Sequence, residues 1–500
     1  MTTVRTSGNR FIDSDNRHII LHGISMVCKD KERNYIGDWT PEDFTKLEQW
    51  GFNVIRLGII WDGIEPEPGR YDDQYLEEIR RWIQLANQHG MYVFLDMHQD
   101  LYSSLYSDGA PAWATITDGH AYAKTALWSD AYLFDRAVQT AFDHFWNNSP
   151  APDGVGIQDH FIEAWKYTVR RLADEPNLIG YDMINEPFIG SDVQHIVQAM
   201  FTAYGELASR LTGSQPPAME ELLDMWHDQD KKMEALSMLG SIDAYRQVME
   251  ASASAQGDFE RNILSPFYQK VGNAIREYDP DGILFLETNY FSNMGVPSTI
   301  TPVLDQGGRQ DRQQAYAPHG YDLVTDSDYV HAADNERVSY IFRQHEATRQ
   351  RLNMPMLIGE WGAYGSSNEA ENASLHVQSI FEQLLCGDVF WCYWSSDIDR
   401  YSSFKGVCRA YPMAVSGTIT SYAYRHEEDT FRMEWEEDDS LSAPTLIYMP
   451  PHPEHSSHER SVRLVPADSG FEWTRVGTSG AAILRIAPSS EGGSRTVTIG

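Results

Sequence analysis

The chain has no run approaching the ~18 consecutive apolar residues that a membrane-spanning helix requires, although 42% of its 500 residues are hydrophobic. Its four cysteines, Cys28, Cys386, Cys392 and Cys408, are too sparse for a disulfide scaffold and form no CxxC pair, so reduced thiols are expected. Basic residues are in deficit: 39 Lys and Arg stand against 73 Asp and Glu, a net charge of -34. A phosphate backbone or an anionic membrane would be repelled, which argues against nucleic acid as a partner. The segment Met1 to Arg10 has no apolar core of a secretion signal, so a cytoplasmic location is expected, or a secreted one if a leader was removed.

What is present alternates. Apolar strand-like runs at His18–Ile24, Asn53–Leu57, Tyr92–Met97, Leu178–Ile184, Ile283–Glu287, Gln314–His319, Met356–Glu360 and Val389–Trp394 are separated by amphipathic stretches. Eight such runs are what a parallel (β/α)8 barrel needs. Residues 41–50 and 75–86 carry apolar residues at helical spacing, and Gly51 and Gly90 suit the helix ends. From residue 403 to 500, alternating β-branched and aromatic residues between Gly, Pro and Ser clusters read as an antiparallel β-sandwich. The expected organisation is therefore α/β: a TIM barrel over 1–402 and a sandwich over 403–500. A helical insertion is expected at about 189–278, with an apolar stripe from Ile196 through Val197, Met200, Phe201, Tyr204 and Leu207 to Leu211.

Two of the runs end in carboxylates followed by a Pro or a Trp: Asn185-Glu186-Pro187 and Gly359-Glu360-Trp361. A buried strand that stops on an acid delivers it to the barrel rim, and glycoside hydrolysis needs two such acids, one holding a proton and one attacking or stabilising the anomeric carbon. Arg56, in the second run, would sit in the barrel mouth and keep a carboxylate ionised, with a purely structural ion pair as the alternative. Asp96, His98 and Asp100 share one face of an extended strand. They could be metal ligands, but no second ligand-spaced element accompanies them, so no catalytic metal is expected. Tyr321 can donate to a nucleophilic carboxylate, His319 can tune the proton of the acid, and Trp394 offers a flat face for a sugar.

In this order, Arg56, His98, Asn185-Glu186, His319, Tyr321, Glu360 and Trp394 resemble glycoside hydrolase family 5 over roughly residues 10–400. The segments Asp96–Tyr102, Asp108–Trp113 and Ala141–Trp146 are similar to endoglycoceramidases and related glycosylceramidases, and Tyr411–Thr418 is similar to the start of their C-terminal sandwich. The resemblance implies a retaining β-glycosidase without a cofactor, in which Glu186 is the acid/base and Glu360 the nucleophile. It implies Asn185 on the sugar 2-hydroxyl, and His98, Asp100 and Lys29 in the glycone subsite, with Lys31 as the alternative to Lys29. The implied substrate is a β-glycoside of a glycosphingolipid-like or other apolar aglycone.

The insertion after Glu186 is longer than the family's usual crossover. Its six methionines, at 200, 219, 225, 233, 238 and 249, suit an aglycone wall or, more commonly, plain core packing. A soluble β-glucosidase or endo-glucanase-like hydrolase is the runner-up. The reading from another class is a non-catalytic carbohydrate-binding protein, against which the retention of both glutamates with Arg56 and Tyr321 argues.

Overall fold

The computed structural model describes residues 3–125, 127–325, 329–362, 365–452, 459–467, 469–489 and 492–500. A parallel sheet runs through β1 (His22–Met26), β2 (Val54–Ile60), β3 (Tyr92–His98), β4 (Leu178–Asp182), β5 (Ile283–Leu286), β6, β7 (Leu357–Trp361) and β8 (Gly387–Phe390). Strand β6 comes in two pieces, Gln314–Tyr316 beside β5 and His319–Gly320 beside β7. Pro318, which has no N–H to donate, sits in the gap. The ladder nevertheless continues, because the Ala317 N–H donates to Leu286 and the Pro318 carbonyl accepts from Gly359. With β8 paired to β1, the sheet closes into the (β/α)8 barrel.

Local chemistry explains the helices that wrap it. Helix α1 (Pro41–Gln49) starts with proline in its first turn, and α2 (Asp73–Gln88) is capped by the Asp72 carboxylate, which accepts from the N–H groups of Gln74 and Tyr75. Past α1, Gly51 has φ +89°, and a β-carbon there would run into the ring of Tyr448 in the C-terminal region. Glycine at that point serves both the helix end and the docking of the two regions.

The run beginning at His18 is not one strand. His18–Ile19 pairs with Phe11–Ile12 and with Val415–Ala414, and only His22–Met26 enters the barrel. The Asn53 side chain holds the break, donating to the Ile20 carbonyl and accepting from the His22 N–H. Three N-terminal strands (Arg5–Ser7, Arg10–Ile12, His18–Ile19) thus lie in the same seven-stranded sheet as Tyr411–Val415, Thr445–Met449, Ala482–Ile486 and Phe471–Arg475. The second sheet, Gly417–Arg425, Thr430–Glu437, Gly493–Ile499 and Val462–Val465, completes an antiparallel sandwich over Trp435, Met433, Leu484 and Val497. Phe11 and Ile19 meet Phe94 and Phe285 in a cluster that closes one end of the barrel. The other end is left for polar side chains.

Between β4 and β5 the chain forms helices from Val193–Thr212 through Ser265–Arg276. Of the apolar stripe, Ile196, Phe201, Tyr204 and Leu207 are buried, while Leu211 lies in the helix's last turn and is 62% exposed.

Candidate active site

Arg56 organises the site from below. Its side chain is fully buried in the barrel, and its guanidinium reaches Asp96 at 3.0 Å, Asp182 at 2.9 Å, Glu287 at 2.9 Å and Glu360 at 2.5 Å. It also donates to Asn185 Oδ1 at 2.8 Å. These groups come from four different strands or strand ends, so the rim is cross-linked through one fixed cation. A buried arginine with this many acceptors holds its neighbours in place.

Glu186 and Glu360 face each other across this floor. Glu360 accepts from Arg56 through Oε1 and from the Tyr321 hydroxyl through Oε2 at 2.9 Å. Glu186 Oε1 accepts from Asn293 Nδ2 at 2.7 Å and lies 3.0 Å from His319 Nδ1. Burial pushes the Glu186 carboxyl up to about 7, with the nearby Glu360 charge adding to the rise and His319 opposing it. Burial also opposes charge on His319, but Glu287 and Glu360 hold the imidazole well above its ordinary range. One oxygen of Glu186 lies within 4.8 Å of one of Glu360. Carboxyl groups about 5–5.5 Å apart leave no room for an intervening water and belong to the double-displacement, retaining geometry; inverting pairs stand about 6.5–9.5 Å apart.

Beside the pair is a pocket of about 150 Å³ lined by Lys29, His98, Asp100, Asn185, Tyr321 and Trp391, among others. Lys29 forms an ion pair with Asp100, whereas Lys31 lies elsewhere, 2.7 Å from Asp62. His98 Nδ1 is 2.8 Å from Asp96, and its ring stacks on Trp391 at 5.2 Å. Asn185 is oriented by Arg56 and by donating to the Gln99 carbonyl. His98, Asp100 and Asp108 bring donor atoms within 4.8 Å of one another. The Lys29 ammonium already supplies the cation beside them.

Trp394 is not among the residues that line this pocket. It is 46% exposed, its ring against Phe390 and Tyr401. Strand β8 ends at Phe390, so the first side chain past its end is Trp391, and by Trp394 the chain has turned outward. Of the two rings, Trp391 is the one that lines this pocket. Sequence reasoning also passed over Glu287, although the run Ile283-Leu-Phe-Leu-Glu287 ends in an acid as the runs before Glu186 and Glu360 do. Asn293 had no such signal, because it sits in a turn after β5 and reaches Glu186 only through the fold.

A second cavity of about 210 Å³ adjoins the first and shares Leu127, Ser129, Tyr290, Met294 and Leu323 with it. Its wall is overwhelmingly apolar and includes Met200, Phe201, Met225, Trp226 and Met249 from the inserted helices. No helix of the described residues is long and apolar enough to cross a membrane.

Comparison with known proteins agrees with this arrangement. The family described as Cellulase (glycosyl hydrolase family 5) matches residues 12–397, and the glycoside hydrolase family 5 C-terminal domain matches residues 409–499. Endoglycoceramidase I of Rhodococcus hoagii (strain 103S) is 30% identical over 437 residues, 83% of this chain and 74% of that protein. An endoglycoceramidase of Cyanea nozakii is 31% identical over 219 residues, 38% of this chain and 42% of that protein. The structure of endo-glycoceramidase II from Rhodococcus sp. in complex with a five-membered iminocyclitol superposes with a TM-score of 0.74 at 25% identity, covering 98% of both chains. With two close carboxylates at the barrel rim and both family regions matched in order, the chain belongs to glycoside hydrolase family 5 and is a retaining glycoside hydrolase.

Proposed function

We propose that this enzyme cleaves β-glycosides of lipid-like aglycones, with Glu186 as acid/base and Glu360 as nucleophile. The observation that carries the reading is the apolar cavity opening off the sugar pocket beside Glu186. A bound glycone would lie among Lys29, His98, Asp100, Asn185 and Trp391, which places its aglycone toward Tyr290, Met294 and Leu323. Such a wall rewards burial of alkyl chain, while the polar pocket offers hydrogen bonds to hydroxyls. The endoglycoceramidases among the relatives support the same substrate class.

The chemistry follows from the two environments. Glu186, kept protonated near neutral pH by burial, gives its proton to the glycosidic oxygen while Glu360 bonds to the anomeric carbon and the C–O bond breaks. Glu186 is then a carboxylate facing His319 and can take a proton from water as that water displaces Glu360. Arg56 and Tyr321, already on the Glu360 oxygens, stabilise the carboxylate as it leaves.

Product analysis by thin-layer chromatography after incubation with glucosylceramide, lactosylceramide and a soluble chromogenic β-glucoside tests the substrate. Release of ceramide is expected; lactose from lactosylceramide marks endo cleavage, and hydrolysis of glucosylceramide alone marks a one-sugar glycone site. Turnover confined to the soluble glucoside overturns the lipid reading.

A further inference from the structure

Glu287 follows the last residue of β5, is 2% exposed and touches neither the sugar pocket nor the apolar cavity. Its carboxylate nevertheless reaches the acid/base by two routes. Oε2 accepts the backbone N–H of Glu186 at 2.7 Å, and Oε1 lies 3.1 Å from His319 Nε2. The other ring nitrogen of His319 lies 3.0 Å from Glu186 Oε1. Glu186 itself has φ +42°, in the left-handed region that non-glycine residues seldom occupy and that needs support from its surroundings.

We propose that Glu287 is a positioning residue of the acid/base: it pins the backbone of Glu186 in this conformation and keeps both nitrogens of His319 protonated, so that Nδ1 donates to the Glu186 carboxyl. This rests on Glu186 being the acid/base. The groups around the imidazole agree with a charged ring. Glu186, Glu287 and Glu360 face it, with Asp96 and Asp182 behind and the Arg56 cation paired to four of the surrounding carboxylates. From the neighbouring helix Asn335–Leu352, His345 reaches the His319 carbonyl through Nε2 at 2.8 Å and the Tyr316 hydroxyl through Nδ1 at 3.0 Å, and burial keeps that ring neutral. Asp182 is the weaker counter-charge, because burial and the adjacent Glu287 charge push its carboxyl well up against the pull of Arg56. Glu287 stays ionised: burial works against its charge, but His319 and Arg56 outweigh it.

The test is Glu287→Gln, which keeps the shape and removes the charge. On an alkyl β-glucoside, whose leaving group needs a proton, kcat/KM should fall about 100-fold or more. On a dinitrophenyl β-glucoside, which needs none, it should fall less than about five-fold. The basic limb of the pH profile should move upward, since Glu186 loses its cationic neighbour. Glu287→Asp, which keeps the charge, should retain the parental limb, and adding His319→Gln to Glu287→Gln should cost little more than either alone. Equal losses on both substrates with an unmoved limb overturn the proposal. If Glu287→Gln does not fold, 15N NMR of the parent enzyme decides: an imidazolium at His319 at pH 8 supports the proposal and a neutral ring there overturns it. The underlying assignment has its own control, since Glu186→Gln must itself discriminate between the two leaving groups.

Discussion

The hydroxyl of Tyr321 donates to Glu360 Oε2 at 2.9 Å, on the oxygen opposite the one held by Arg56. Both oxygens of the proposed nucleophile are thus engaged, so no reorganisation is needed as charge leaves them. Tyr321→Phe should lower kcat by roughly 10–100-fold, with KM changed much less. A rate within two-fold of the parent would remove the phenol from the mechanism.

Replacing the proposed nucleophile separates the two carboxylates. Glu360→Ala should lose nearly all turnover, yet regain part of it with azide and a good leaving group, because a small anion fits the vacated face. The product, read by NMR, should be the α-glycosyl azide. Full activity without azide sinks the assignment.

The pH profile of kcat/KM should fall on its basic side as pH rises through about 7, where the Glu186 carboxyl loses the proton that the proposed mechanism has it donate. The sign follows from burial raising this group: activity is present below that pH and lost above it. The apparent value belongs to Glu186 and its charged neighbours together. Glu186→Gln should erase this limb for substrates with good leaving groups, and a mutant profile superimposable on the parent would count against Glu186.

Alkyl chain length tests the apolar cavity. From butyl to octyl β-glucoside, kcat/KM should rise, with each buried methylene contributing at most ~0.8 kcal/mol, roughly four-fold, before losses to chain ordering. Met200→Asn or Met225→Asn, both in the cavity wall, should flatten the series and spare a small chromogenic glycoside. Rates independent of chain length would show that the cavity is not used.

Two tryptophans only three positions apart should behave differently. Trp391→Ala removes the face stacked on His98 and placed under the Lys29 ammonium, 4.7 Å from the ring centre; KM should rise and kcat fall. Trp394→Ala changes a half-exposed ring outside that pocket, and steady-state constants close to the parent are expected. The reverse ranking would restore Trp394 as the platform.

Much of this was legible along the chain because the signals were local. An apolar run ending in an acid before Pro or Trp marks a strand end regardless of what surrounds it, which is why Glu186 and Glu360 stand out. Gly51 and Gly90 punctuate helices for a backbone reason, and their φ values of +89° and +69° show it. Glu287 also ends an apolar run but is followed by Thr288 rather than Pro or Trp, and a third acid had no place in a two-carboxylate scheme.

Other features depended on register and closure, which no local signal carries. Whether Trp391 or Trp394 meets the pocket turns on where β8 stops. Whether His18 belongs to the barrel turns on Asn53, from another strand, holding the break at Ile20. The apolar cavity forms where the inserted helices come against the turn after β5 and the segment around Leu133, so along the chain its methionines suit an aglycone wall or plain packing alike. Sequence alone determined the barrel's alternating pattern, the sandwich and the two glutamates, since these follow from periodicity and from the chemistry of single strand ends. Tertiary structure alone decided that Arg56 ties the acids of several strands together and that Glu287 faces both His319 and the backbone of Glu186. The physical reason is that closing the barrel brings residues more than a hundred positions apart within hydrogen-bond reach, and such contacts leave no mark on the spacing of neighbours in the chain.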